Sequence, residues 1–148
     1  MNFLLYLHIL SATAWIGGSI FMAILGISLK DKQDQDEVYP RIGGIFGYFE
    51  IGAFVALVLS GVMIMSQKGL WSLLSFSHND ILTQALWIKL FLVFLIFCAT
   101  ALHSFISFIK KPHERTRLEQ QLTRASSVLI LLLSLLVLHY AMILRDVL

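Results

Sequence analysis

The sequence predicts an all-α integral membrane protein, folded as a bundle of four transmembrane helices with both chain ends outside. Of its 148 residues, 58% are hydrophobic and 14% are charged, and the mean hydropathy is +0.83. Such proportions leave too little polar surface to cover a water-soluble globule. The apolar residues also fall into four runs, each near the length of about 20 that a helical span requires. We therefore expect a single transmembrane domain over residues 1–148.

Each predicted span is bounded by a recognisable polar segment. The first has no Lys or Arg before it and is too long for a signal peptide, so we expect it to belong to the mature protein. A charged link at 30–37 precedes the second, an outer loop at 72–80 precedes the third, and a basic, proline-containing link at 110–117 precedes the fourth. The spans cover roughly residues 3–29, 42–65, 81–109 and 125–144.

The distribution of basic residues predicts the orientation. The two inner links, together with Arg41 and Arg124, hold eight of the 11 Lys and Arg residues. The opposite side has only Lys68, Arg145 and, near its boundary, Lys89. The positive-inside rule therefore places both links in the cytoplasm.

Charge and cysteine content exclude some classes of partner and site, and glycine content indicates which helices pair. The net charge of +2, with basic residues in two separate clusters, argues against a nucleic-acid partner. The single cysteine, Cys98, excludes an internal disulfide framework and a cysteine-based zinc site. Most glycines lie in the first two spans, and because small residues let membrane helices approach closely, we expect these two helices to pair tightly.

Ionisable side chains inside the spans are the strongest functional signal. Each costs a few kcal/mol to insert and therefore needs a partner, a cavity or a cofactor. Counting rise along each helix puts three of them near the outer surface and two near the inner boundary, where those two are expected to hydrogen-bond each other. The outer three are His8, Lys89 and His139, and the inner two are Glu50 and His103.

Two imidazoles at one depth predict a cofactor between them. Haem iron takes axial histidines, and a four-helix bundle is a common place to hold the flat macrocycle. The first hypothesis is therefore a bis-histidine haem b ligated by His8 and His139, with Trp15 and His103 as further cofactor-binding residues. Lys89 would then either snorkel to the outer interface or pair with a propionate or an acidic substrate.

A copper site is the alternative at the same place. Soft thioethers beside imidazole suit Cu(I), and Met142 lies three residues after His139, on the same face of its helix. The alternative ligand set is His8, Met63, Met65, His139 and Met142. A third possibility is that the histidines merely satisfy one another in a structural subunit of a membrane complex.

Two motifs are similar to known families. The run LHILSATAWIGG at residues 7–18 resembles the first-helix signature of two groups of small bacterial membrane proteins, the HemJ-type protoporphyrinogen oxidases and the membrane domain of CopD copper-resistance proteins. The third span, LWIKLFLV at residues 86–93 followed by His103, is similar to the lysine-then-histidine pattern of HemJ. The resemblance extends over nearly the whole chain.

The resemblance implies a bacterial inner-membrane protein that binds haem b and oxidises protoporphyrinogen IX, with electrons passing to a membrane quinone. It implies that His8 is a haem ligand and that Lys89 assists haem or substrate binding. The likeness to CopD instead implies copper binding or transport. Lipid is an expected partner in every case, and assembly into a homo-oligomer is possible.

Overall fold

The chain is all-helical wherever its structure is described. The computed structural model describes residues 3–75, 80–110, 114 and 116–147, apart from the side chains at 73, 146 and 147. Four helices are long and apolar enough to cross a membrane, and one further helix spans only five residues. The expected all-α, multi-pass membrane bundle is therefore confirmed. The helices are α1 (Phe3–Ser28), α2 (Lys32–Gln67), α3 (Trp71–Ser75), α4 (Ile81–Ile109) and α5 (Arg117–Val147).

Helix α2 extends well beyond its apolar span. Its 36 residues correspond to about 54 Å at 1.5 Å per residue, whereas the hydrocarbon core is about 30 Å thick. The charged segment expected to be a link at 30–37 therefore forms, from Lys32 onward, the first turns of this helix. Glu37 and Arg41 lie one turn apart on its exposed surface, where their charged groups approach to 3.4 Å.

Helix α5 begins earlier than its apolar run because a capping box precedes it. The Glu119 carboxylate accepts a hydrogen bond from the Thr116 backbone N–H at 2.9 Å, and the Glu119 N–H donates to the Thr116 hydroxyl at 3.3 Å. The other carboxylate oxygen binds the Lys110 ammonium at 2.7 Å, which ties the end of α4 to the start of α5. Most of the intervening link, residues 111–113 and 115, lies outside the described residues.

A Schellman motif closes α2 at its other end. The Leu70 N–H donates to the Met65 carbonyl at 3.0 Å, and the Gly69 N–H donates to the Ser66 carbonyl at 3.3 Å. Gly69 has a φ of +64°, a left-handed conformation that glycine adopts without steric cost. The motif turns the chain toward the short helix α3.

The helices pack as two pairs that meet through α1 and α5. Helix α1 lies against α2, as the glycine content predicts, and α4 lies against α5. All four contribute to a buried central cluster, which consists of Trp15, Phe54, Leu92, Ile96, Ala99, Ile130 and Leu133. A second buried cluster joins the C-terminal parts of α2 and α5 to the start of α4, through Met65, Ala85, Leu86 and Leu144.

The outer surface of the bundle is strongly apolar. Helix α4 exposes a row of five phenylalanines, each more than half accessible: Phe91, Phe94, Phe97, Phe105 and Phe108. Apolar rings in such numbers on an exposed helix face are expected where the solvent is lipid. The surface therefore agrees with a bundle that sits in a bilayer.

Candidate functional site

His8 is held against the backbone of the neighbouring helix. Its Nδ1 atom lies 3.1 Å from the Leu57 carbonyl oxygen and 3.0 Å from the Ser60 hydroxyl oxygen, both on α2. The ring also lies over Gly61, where a Cβ atom would come within 3.1 Å of the His8 Cε1 atom. A glycine at this position therefore lets the imidazole approach α2 closely enough to form both contacts.

These two partners determine the tautomer of His8. A carbonyl oxygen only accepts hydrogen bonds, and the Ser60 hydroxyl already donates its proton to the Ala56 carbonyl at 2.6 Å. In the neutral ring, Nδ1 must therefore carry the hydrogen, which leaves a lone pair on Nε2. No described residue forms a hydrogen bond with Nε2. The arrangement is the one that metal-binding histidines use, with one ring nitrogen oriented by a carbonyl and the other available.

The tautomer is directly measurable. We expect ¹⁵N spectra of the protein in micelles to show neutral His8 protonated at Nδ1 and unprotonated at Nε2. Ser60→Ala should keep this pattern, because the Leu57 carbonyl still accepts the hydrogen bond. Observation of a His8 ring protonated at Nε2 alone would contradict the assignment.

Lys89, on α4, interacts electrostatically with this histidine. The charge of its ammonium group acts on the His8 ring. The side chain is partly buried, and within the described parts of the chain no carboxylate forms an ion pair with it. This end of the bundle therefore combines an available imidazole nitrogen with an ammonium group that has no counter-ion among the described residues.

His139 does not face His8, contrary to expectation. Its side chain is exposed on α5, and its one ring contact is an edge-on approach to the adjacent Tyr140, with centroids 5.8 Å apart. Tyr140 packs against both buried clusters. Because one residue turns a helix by about 100°, the histidine next to it points away from the bundle.

The residues of the alternative copper site point in different directions. Met65 is buried in the second cluster, whereas Met63 and Met142 are 51% and 59% exposed. His139 is exposed as well, so of these five residues only His8 and Met65 lie at helix interfaces. In the described residues, no three His, Cys, Asp or Glu side chains come together.

Glu50 and His103 also lie apart, rather than hydrogen-bonded as expected. Glu50 packs against α1, where a Cβ at Gly18 would lie 3.3 Å from its Oε1 atom. His103 turns toward α5, with Nδ1 at 3.2 and 3.3 Å from the hydroxyls of Ser126 and Ser127. His103 is also about 21 Å inward of Lys89 along α4, so it does not share the His8 site.

Trp15 lies in the packed centre of the bundle. It is 3% exposed, its ring centroid is 4.7 Å from that of Phe54, and its indole N–H donates to the Ser134 hydroxyl at 3.1 Å. Seven residues separate it from His8, which corresponds to about 10 Å along α1. The structure therefore gives Trp15 a role in joining α1 to α2 and α5, and cofactor contact by this residue stays a prediction.

Sequence reasoning missed the serines and the glycine that complete these sites. Ser60 and Gly61 position His8, Ser134 binds Trp15, and Ser126 contacts His103. Small hydroxyl residues inside spans are a usable signal, since they commonly join membrane helices by hydrogen bonds. Three polar rings, those of His8, Trp15 and His103, each contact a serine of another helix.

The chain was compared with models of protein families, with curated proteins and with solved structures, and none of them matches it.

Proposed function

We propose that this protein binds a b-type haem through His8 and serves in redox chemistry near the outer surface of the membrane. The observation that supports the proposal is the hydrogen bond from His8 Nδ1 to the Leu57 carbonyl, at 3.1 Å. It orients the ring and leaves a lone pair on Nε2, as an axial ligand requires. A buried histidine without this function would be expected to use both ring nitrogens in hydrogen bonds.

The residues at this site fit a haem that has one ligand from the protein and one cationic group beside it to bind a carboxylate. His8 supplies the nitrogen, and Lys89 supplies a positive charge for a carboxylate of the macrocycle or of the substrate. They do not fit a second histidine ligand at this level, because His139 is directed outward. Haem b, when bound, supplies one-electron redox chemistry, while the chain's own residues bind, orient and exclude water.

The specific activity we propose is the one that the resemblance to HemJ implies. Protoporphyrinogen IX would be oxidised beside the haem, with its carboxylates near Lys89. Its conversion to protoporphyrin IX releases six electrons and six protons, which would reduce three membrane quinones to quinols. An apolar bundle surface suits both molecules, because porphyrinogen and quinone partition into lipid. A bacterial inner membrane is the location that this activity would require.

The visible spectrum of the purified protein tests the proposal. We expect a Soret band for the wild-type chain and a decrease of at least about tenfold in haem occupancy for His8→Ala, because the ligand is lost. His139→Ala is the matched control and should keep full occupancy, since that ring is exposed on α5. Loss of the band in both variants would contradict a single protein ligand.

Two other outcomes would replace the proposal. A colourless protein that retains stoichiometric copper, lost in His8→Ala, would favour the copper-binding alternative. A protein that binds neither haem nor copper would favour a structural subunit of a larger membrane complex.

A further inference from the structure

A groove runs between α1 and α2, beginning about one turn inward of His8. Its volume is about 530 Å³, which falls in the usual range for small-molecule sites. Its wall residues Leu10, Tyr48 and Phe49 are each more than half exposed, so the groove is accessible from the surrounding lipid. The lining residues are Leu10, Ser11, Ala14, Tyr48, Phe49, Gly52 and Ala53.

Ser11 is the buried polar residue among those that line this groove. It is only 6% exposed, yet its hydroxyl forms no hydrogen bond with any described residue. Of the other buried serines, three donate to a carbonyl of their own helix: Ser60 to Ala56 at 2.6 Å, Ser126 to Thr123 at 2.9 Å and Ser134 to Ile130 at 2.7 Å. Ser19, which does not line the groove, resembles Ser11 in forming no hydrogen bond with a described residue. Burial of a hydroxyl proton without an acceptor costs free energy in an apolar environment. We therefore expect a ligand in the groove to supply a hydrogen-bond acceptor for Ser11.

The remaining features define what such a ligand must be. None of the described residues that line the groove is charged, so we expect a neutral ligand, and access from lipid requires it to be lipophilic. Two aromatic residues, Tyr48 and Phe49, line the groove together with small residues, and aromatic rings pack well against a flat ring. An acyl chain would fill the space but offers no acceptor for Ser11.

We propose that the α1–α2 groove binds the head group of a membrane quinone, with the Ser11 hydroxyl donating a hydrogen bond to one quinone carbonyl. The choice of a quinone among neutral lipophilic carbonyl compounds rests on the proposed redox function, for which it would be the electron acceptor. Ser11 lies three residues from His8, about 4.5 Å along the axis of α1, so the two sites adjoin.

Binding of decylubiquinone to the protein in nanodiscs tests this site, with decylbenzene as a probe that has the same tail and no carbonyl. The bound quinone is measured from its ultraviolet absorbance after subtraction of empty nanodiscs. We expect one decylubiquinone per chain. Ser11→Ala should weaken its binding about three- to tenfold, the loss of one hydrogen bond, and should leave decylbenzene unaffected.

A substitution that fills the groove with a side chain provides a second, independent test of quinone binding. A Cβ at Gly52 would meet no atom within 4 Å, so Gly52→Leu should fold and should weaken quinone binding at least about tenfold by occupying the groove. Gly44→Leu is the matched control on the same helix. Its Cβ also meets nothing within 4 Å, and it lies about 12 Å inward, so binding should be unchanged.

The outcomes separate this site from the proposed haem function. Quinone binding that persists in His8→Ala supports the groove whether or not the wild-type chain contains haem. A Soret band that persists in Gly52→Leu supports the haem proposal independently. Equal binding of both probes, or binding unchanged in both Ser11→Ala and Gly52→Leu, would overturn the quinone site and leave a lipid crevice.

Discussion

Gly61→Leu is expected to abolish the His8 site, with a loss of haem comparable to that of His8→Ala. Even the first side-chain atom at this position would lie 3.1 Å from His8 Cε1 and 3.6 Å from Nδ1. A leucine is much larger, so the ring must leave the backbone of α2 and lose the contacts to Leu57 and Ser60. Haem occupancy measures the loss of the cofactor, and the ¹⁵N signals of His8 measure the loss of the contacts to Leu57 and Ser60.

The smaller and the control substitutions make this prediction specific. Gly61→Ala should have an intermediate effect, because the ring needs to shift by only a few tenths of an ångström. Gly44→Leu, on the same helix, should leave both measurements unchanged, since its Cβ meets no neighbour within 4 Å. If Gly61→Leu retained the wild-type His8 spectrum, the glycine would have no part in positioning the ring.

Trp15→Ala is expected to be the most destabilising single substitution in the bundle, with a loss of about 3–5 kcal/mol in the free energy of unfolding. Trp15 is 3% exposed and packs against residues of α2, α4 and α5 in the central cluster. Water expulsion does not hold membrane helices together, so the loss comes from the cavity and the missing packing contacts. Unfolding in mixed micelles at increasing denaturant provides the measurement.

Two further variants separate packing from hydrogen bonding at this position. Trp15→Phe should retain most of the packing and lose only about 1 kcal/mol with the bond to Ser134. Phe91→Ala removes a ring of similar size that is 60% exposed to lipid, and should cost roughly 1 kcal/mol or less. A cost for Phe91→Ala equal to that for Trp15→Ala would show that the centre is not more tightly packed than the surface.

The fold and the depth of each polar group are predictable from the sequence. Transfer into lipid is nearly a property of each segment alone, so apolar length predicts the four helices. The rise per residue then gives depth, which predicts that Lys89 and His8 lie at a similar level, and the Lys89 charge does act on the His8 ring. The sequence was less informative on helix ends, because the capping box at Thr116 and Glu119 extends α5 beyond its apolar run.

The amino-acid sequence by itself thus determined a four-helix membrane bundle and the level of each ionisable group. Only the tertiary structure decided which of these groups face one another. His8 meets Ser60 and Gly61 rather than His139, and Glu50 meets Gly18 rather than His103. The physical reason is that counting residues gives position along a helix axis, whereas the direction of a side chain around that axis changes by about 100° per residue. The packing of neighbouring helices selects that direction. In this bundle, serines contribute by hydrogen bonds between helices and glycines by allowing close approach.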